Sequence, residues 1–525
     1  MTNLVKITMF FALMHIFAGS AMGSSITFSP DPSVKDQTVA FNKAVLKLKE
    51  SDADTLSIPP GKYYFSGADG KENAALCVEG LKGKKIVGRD AVFLFGRADL
   101  GGICFRNNEN LLVQGIRIDW DPLPFAQGII RNVSKFSGTI DIEIMRELPT
   151  PDMGTFQRAP VLWATVHHAD GRRYLDSHDV IHLSGFQQLD QKTIRLSLKN
   201  RGAVMREGMK TGNVLVVVAR YPTAHAIRVF NSSSVTITDN EIMSSPGMGI
   251  IVGPRCKDVF VRNNRLAHST PSASFISLNA DGIHVIEPLG QLVIEGNTLD
   301  SLQDDAVIVS RRGEWAHYDA ATKSFLFDST SPTVIFSAGE KAEALAPNAG
   351  LVTLGAVRTS EKSAGGGVRI VAEKGLDVAD RSRMPVFPVP SETARVSIRN
   401  NQIINIRGVG IRINFPNVSV EGNRVIDVIG ISVRLGCSVN RQWEPQYPAV
   451  NTTVSSNVIR GFDVSSGRKP LPFGMIDVSC YPPEEGALYG KSSSGITIVN
   501  NIFEGGLGFM SKKINVISAR DATVQ

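Results

Sequence analysis

Cysteine, aromatic side chains and long runs of one character are all scarce in this chain of 525 residues. Its five cysteines (Cys77, Cys104, Cys256, Cys437 and Cys480) stand far apart, without metal-finger or redox spacing, which excludes zinc modules and thioredoxin-type motifs. An odd count leaves at least one thiol outside any disulfide. Cys77 and Cys104, 27 residues apart, are a candidate pair, and small buried apolar side chains are the alternative for most of the five. The net charge is +6, yet no five Lys or Arg are consecutive, so the concentrated basic face of a nucleic-acid binder is missing and no nucleic-acid partner is expected. After the first residues no stretch reaches the roughly 18 apolar residues of a membrane-spanning helix.

What is present begins with Met1 to Gly23. Lys6, an apolar run from Ile7 to Phe17, and the small residues Ala18, Gly19, Ser20, Ala21 and Gly23 have the three-part layout of a secretory signal. Removal after Ala21 or Gly23 and export of the remainder are expected. Hydrophobic residues at 42% and charged residues at 20% suit a chain that buries a sizeable core.

The strongest pattern is a repeat of short alternating segments ending in Asn. Val235–Asn240, Val259–Asn264, Leu292–Asn297, Val396–Asn401, Val418–Asn423 and Ile496–Asn501 share it, with a weaker copy at Thr452–Asn457. Alternation turns one side of each strand inward. Asn tolerates left-handed backbone geometry, and its amide can bond the equivalent Asn one coil away, making a ladder inside the turn. The Asn-to-Asn steps are 24, 33, 104, 22, 34 and 44 residues, so a coil takes about 22 to 24 and the excess is inserted. Second apolar runs follow at Gly249–Val252, Ala306–Val309 and Gly410–Ile413. Stacked coils of two or three strands form an all-β, right-handed parallel β-helix solenoid.

An N-terminal capping helix is expected over Gln37 to Ser51, with Asp36 as N-cap and Val39, Phe41, Val45, Leu46 and Leu48 as its apolar face. The strand, turn and strand of Thr55 to Phe65, with a Pro-Pro-Gly-x-Tyr turn, begin many pectate-lyase-like β-helices, so this segment resembles that superfamily. The predicted organisation is a signal over 1–23, cap and first coils over 24–120, an inserted β module over 121–220, central coils with the site over 221–314, a second insert over 315–395, and final coils over 396–525. The first insert carries strands at Gly128–Ile130, Thr139–Ile144, Thr193–Leu198 and Val214–Val218, the second at Pro332–Phe336, Leu351–Leu354 and Val368–Val371.

Two consecutive coils carry the chemistry: Asn279-Ala-Asp281-Gly-Ile-His284, then Gln303-Asp304-Asp305-Ala306. Asp281 and Asp304 are 23 residues apart, which places them on neighbouring rungs. Crowded carboxylates cannot all ionise cheaply, and a protonated acid beside ionised partners is the equipment for splitting a glycosidic bond. Neighbours on a strand face opposite ways, so Asp304 and Asp305 share a site only at a turn or bulge. The alternative use of such residues is bonding turn backbone or a structural calcium ion.

Together with Trp120–Gly128, Ala224–Ile227 and Ser244–Gly249, these motifs resemble glycoside hydrolase family 110, the exo-acting α-1,3-galactosidases, over about residues 30 to 510. The resemblance implies an inverting β-helix enzyme interrupted by two small β-barrels, with Asp304 as general acid and Asp281 and Asp305 positioning and deprotonating the attacking water. It implies no cofactor and no metal, and as substrate a carbohydrate with terminal galactose, as in blood group B or linear α-galactosyl glycans. Polygalacturonases are wider relatives. Arg412-Ile-Asn414 stands where their Arg-Ile-Lys is expected, and the missing cation argues against a pectin substrate. Candidate substrate-binding residues are His225, Asn279, His284, Arg311, Arg312 and Arg412, with Trp315 and Trp443 as aromatic surfaces or loop anchors. Another β-helix hydrolase, acting on a uronic or sulfated polymer, and a non-enzymatic carbohydrate-binding or adhesion β-helix remain as rival readings. Oligomeric state has no signature in the sequence.

Overall fold

The computed structural model describes residues 24–525, apart from 68–72, 146–147, 151–153, 170, 172–179, 206–207, 269–273, 330–333, 335, 363–366, 380–381, 441–443, 462–470, 483–488, 491 and 508–509. The expected signal, Trp443 and most of the Pro332–Phe336 strand lie outside the described residues.

The chain winds into a parallel β-helix. One face is a ten-stranded sheet, and two further strips of strands join in a twenty-stranded sheet. A typical coil runs through Ile227–Phe230, Ser233–Thr238 and Glu241–Ile242 before returning to the ten-stranded face at Ile250–Val252. Alternation produces this geometry: Val235 and Ile237 are fully buried while the residues between them face outward. Stacked inward residues such as Val235, Val259, Leu292, Val396 and Val418 build one continuous core along the axis.

The Asn ladder is continuous over seven coils. The side-chain amide of Asn240 donates to Oδ1 of Asn264 at 3.0 Å, Asn264 to Asn297 at 3.0 Å, and Asn297 to Asn401 at 2.9 Å. Asn401 continues to Asn423 at 2.9 Å, Asn423 to Asn457 at 3.0 Å, and Asn457 to Asn501 at 2.9 Å. The left-handed conformation, however, belongs to the preceding residue: Asp239, Asn263, Gly296, Asn400, Gly422, Ser456 and Asn500 have φ between 53° and 67°. One position makes the turn, and the next satisfies the buried backbone.

The helix Thr38–Glu50 covers the open first coil, burying Thr38, Phe41, Val45 and Leu48. Phe41 packs edge-on against Phe28, Phe65 and Phe93. Two expectations change here: Gln37 occupies the N-cap, with Asp36 accepting the Thr38 amide at 3.0 Å from one residue earlier, and Val39 and Leu46 are exposed.

Each insert closes into a six-stranded barrel, one from Phe125–Ser134 to Val214–Arg220, the other from Glu314–Asp319 to Arg383–Pro388. Their strands are antiparallel, so each holds a small core of its own. The disulfide joins Cys437 to Cys480 on neighbouring coils; Cys77 and Cys104 face each other in register but remain thiols.

Replacing Asn297 by Ala strips the acceptor from the amide and side chain of Asn264 and the donor from Val261 C=O and Asn401. At about 1 to 3 kcal/mol per orphaned buried group, the variant should lose at least about 3 kcal/mol in denaturant unfolding. A loss below about 1 kcal/mol would show that the ladder does not hold the coils together.

Candidate active site

The acidic residues lie at the entry to the ten-stranded face, in the turns that precede Ile283–Ile286 and Val307–Ser310. Ile283 pairs with Val307, so the residue directly above Asp281 is Asp305, 24 positions on, rather than Asp304. Asp304 and Asp305 are in the turn, not in the strand, and both therefore reach the same place. One oxygen from each of the three carboxylates lies within 4.8 Å of the others. The following coil closes over them at Gly408, where a Cβ would stand 2.4 Å from Oδ1 of Asp305. The absence of a side chain there lets the Val409 amide donate to that oxygen at 2.6 Å.

Each carboxylate has a different set of partners. Asp281 accepts Nδ1–H of His284 at 2.8 Å through one oxygen and the Asp305 amide at 3.2 Å through the other. Burial pushes Asp281 up, but His284, Arg220 and Arg412 together bring it below its ordinary value. Asp304 lies between two guanidiniums, Arg220 at 3.0 Å and Arg407 at 3.3 Å, both resting on the Trp163 ring. Its side chain keeps 26% of its surface open. Asp305 is almost wholly enclosed and pairs with Arg412 at 2.8 Å. Burial raises its pKa to about 6 against the pull of Arg412, with the charges of Asp304 and Asp281 adding to the rise. Guanidiniums already pair with Asp304 and Asp305, so a calcium ion would have to compete with fixed cations at two of its three carboxylates.

A cleft of about 1040 Å³ opens over the triad and runs along the face towards the last coils, with residues of the second barrel and Ser438, Asn440, Glu444 and Gln446 among its walls. His284, Arg312 and Arg412 line it; Arg312 pairs with Glu444 at 3.7 Å. Trp315 lines it too, although Arg383 covers its ring at 4.4 Å. Three sequence candidates are placed elsewhere. Asn279 is fully buried and donates to Pro124 C=O and Ala219 C=O at 2.9 Å each, tying the first barrel to the helix. Arg311 is buried and donates to Pro388 C=O at 2.6 Å, tying down the second. His225 is buried behind the triad, where its Nδ1 accepts the Met248 amide at 3.1 Å. Burial, with Arg228 and His284, holds its pKa down to about 3, so it stays neutral.

Sequence reasoning missed Arg220, Trp163, Arg407 and Arg434. The first two come from an insert whose closure no repeat predicts. Arg434 was visible in principle, since Val433-Arg434-Leu435 repeats Ile411-Arg412-Ile413 one coil later.

Comparison with known proteins gives distant likenesses. No family model matches the sequence. The chain is 21% identical over 315 residues to alpha-1,3-galactosidase B of Akkermansia muciniphila, an alignment covering 55% of this chain and 38% of that protein. It thus spans well under half the length of this curated relative. Among solved structures, the A-module of the Azotobacter vinelandii mannuronan C-5 epimerase AlgE4 overlaps 94% of this chain and 96% of its own at a TM-score of 0.36 and 10% identity. The catalytic unit of a Streptomyces thermodiastaticus alpha-1,3-glucanase overlaps 91% and 58% at 0.37 and 11%. PfbA, a surface adhesin of Streptococcus pneumoniae, overlaps 94% and 81% at 0.37 and 13%. The stacked coils and paired barrels define the chain as a parallel β-helix protein with two barrel inserts.

The environment of Asp305 makes a prediction about pH. With its folded pKa raised to about 6, the stability gained by holding its proton is fully present below the ordinary carboxylate range and lost as pH rises through about 6. Denaturant unfolding across that window should show a steeper decline in wild type than in Asp305→Asn, whatever constant offset the unpaired Arg412 adds to the variant. Equal slopes would place the raised carboxyl elsewhere.

Proposed function

We propose that this protein is a glycoside hydrolase that releases terminal α-1,3-linked galactose from glycans. The observation that carries the reading is the triad itself: three carboxylates within 4.8 Å of one another, at the floor of a cleft, each in a different electrostatic setting. Converging carboxyl groups whose environments push their pKa values apart are suited to acid–base work on an acetal. The likeness to an α-1,3-galactosidase and the sequence motifs support galactose as the sugar.

In this reading Asp304, whose carboxyl is the most open of the three, delivers a proton to the departing glycosidic oxygen. Arg220 and Arg407 hold this carboxylate in two ion pairs, and in this reading a neighbour supplies the proton it delivers. Asp305 is that neighbour, since burial raises its pKa to about 6. Asp281, held ionised beside His284, accepts the proton of the attacking water. Hydrolysis then leaves galactose and a shortened glycan. The family resemblance supports single displacement with inversion. Retention is the second course, and the two differ in the separation of the carboxyl groups, about 6.5 to 9.5 Å for inversion and about 5 to 5.5 Å for retention.

Wild-type protein should release galactose from α-1,3-galactobiose or a B-type trisaccharide, and Asp304→Asn should lower turnover by about 10² to 10⁴-fold while leaving sugar affinity nearly unchanged. No release from either glycan would end the galactosidase reading, and full turnover by the variant would remove Asp304 as the acid. NMR of the first-formed anomer decides the course: β-galactose means inversion, α-galactose retention.

A further inference from the structure

The register of the ten-stranded face lines up one outward column, in which His284, Ile308, Arg412, Arg434, Asp477 and Asn515 follow one another rung by rung. Arg412 has its counter-ion in Asp305, yet its Nε is buried without a hydrogen-bond partner. Arg434, one rung on, is 8% exposed and lines the cleft. Its guanidinium lies over the ring of Tyr481 at 4.6 Å and has no hydrogen-bond or ion-pair partner among the described residues. The nearest acid in its own column, Asp477, is engaged by the amide of Gly474 at 3.1 Å, the side chain of Asn515 at 2.7 Å and the hydroxyl of Ser479.

A buried guanidinium without a carboxylate is costly, because desolvation is not offset by a partner. Local charge does not relieve it. Arg220, Arg407 and Arg412 are each paired with a carboxylate of the triad, which leaves Arg434 beside Asp477, whose oxygens are already engaged. Arg's planar fork matches the paired oxygens of a sulfate or carboxylate. With rungs about 4.8 Å apart, Arg434 stands about 10 Å beyond the Asp305 rung, over the neighbouring part of a bound glycan.

We propose that Arg434, one rung beyond Arg412, binds an anionic group, a sulfate ester or a carboxylate, on the glycan next to the bond that the triad cuts. The proposal rests on the glycosidase reading for its geometry, but binding alone tests it. Asn414, which ends the Arg412 strand, brings no charge to the site and donates to Gly436 C=O at 2.6 Å. Arg434 supplies a cation one coil further on.

Titration calorimetry on Asp304→Asn, chosen to suppress turnover, compares galactose, galactose 6-sulfate, galacturonate and inorganic sulfate. The expected result is that at least one anionic sugar binds about tenfold or more tighter than galactose, with affinity falling as salt rises. Galactose 6-sulfate against galacturonate tells sulfate ester from carboxylate. That preference should vanish in Arg434→Met, which keeps the stem against Tyr481, and return in part in Arg434→Lys. Equal affinity for neutral and anionic sugars, or a preference that survives Arg434→Met, overturns the proposal, as does binding of inorganic sulfate alone. Loss of the galactosidase reading would appear separately, as failure of wild-type protein to release galactose from neutral glycans.

Discussion

In-register stacking of parallel strands is the constraint from which the rest follows. Once Ile283 pairs with Val307, Val307 with Ile411 and Ile411 with Val433, each outward residue has a fixed neighbour one rung away. The column that results holds His284, Arg412, Arg434 and Asp477 as its charged or titratable members, and the turns at its edge hold the three carboxylates. Backbone pairing cannot slip by one residue without exchanging core for surface, and the Asn ladder in the opposite turns makes slipping dearer still. Precision at the site is therefore a consequence of the solenoid, with no dedicated scaffold beneath it.

Concentrating acids on such a face creates an electrostatic difficulty, and the molecule answers it with arginines from different places. Arg407 and Arg412 come from the coil above, while Arg220 arrives at the end of the first barrel. Trp163, also from that barrel, supports two of the three guanidiniums at once. Buried ion pairs of this kind contribute little net stability because desolvation offsets their attraction. Their effect is on position and proton affinity: Asp304 is held between two cations while Asp305, enclosed with one, drifts upward. The barrels are accordingly parts of the site, anchored by Asn279 and Arg311.

How far this was legible in the sequence depends on the range of the signal. The coils, the Asn ladder, the capping helix and two β inserts follow from alternation and spacing, which are local and repeated. So does the carboxylate cluster on neighbouring rungs, although the spacing does not show that Asp305 is the residue in register with Asp281; counting residues between motifs cannot reveal how a turn absorbs an extra one. Asn279, Arg311 and His225 were misjudged for a common reason. A polar residue beside an acidic motif has the same appearance in sequence whether it faces the cleft or a docked barrel, and only burial separates the cases. Trp163 and Arg220 lay beyond reach, since they belong to an insert whose return path the repeat does not encode.

Arg412 and Arg434 bear on selectivity in a way that neither residue does alone. Two guanidiniums on adjacent rungs repel one another, and burial with that repulsion draws Arg434 down to about 10. A neutral sugar over this pair would offer Arg434 hydroxyl oxygens, which accept its hydrogen bonds but bring no counter-charge. An anion relieves the repulsion and fills the vacant donors together. The acid triad gains as well, because negative charge fixed beside Arg412 weakens its hold on Asp305 and favours retention of the proton there. Substrate charge and proton affinity at the site are then linked through a single arginine.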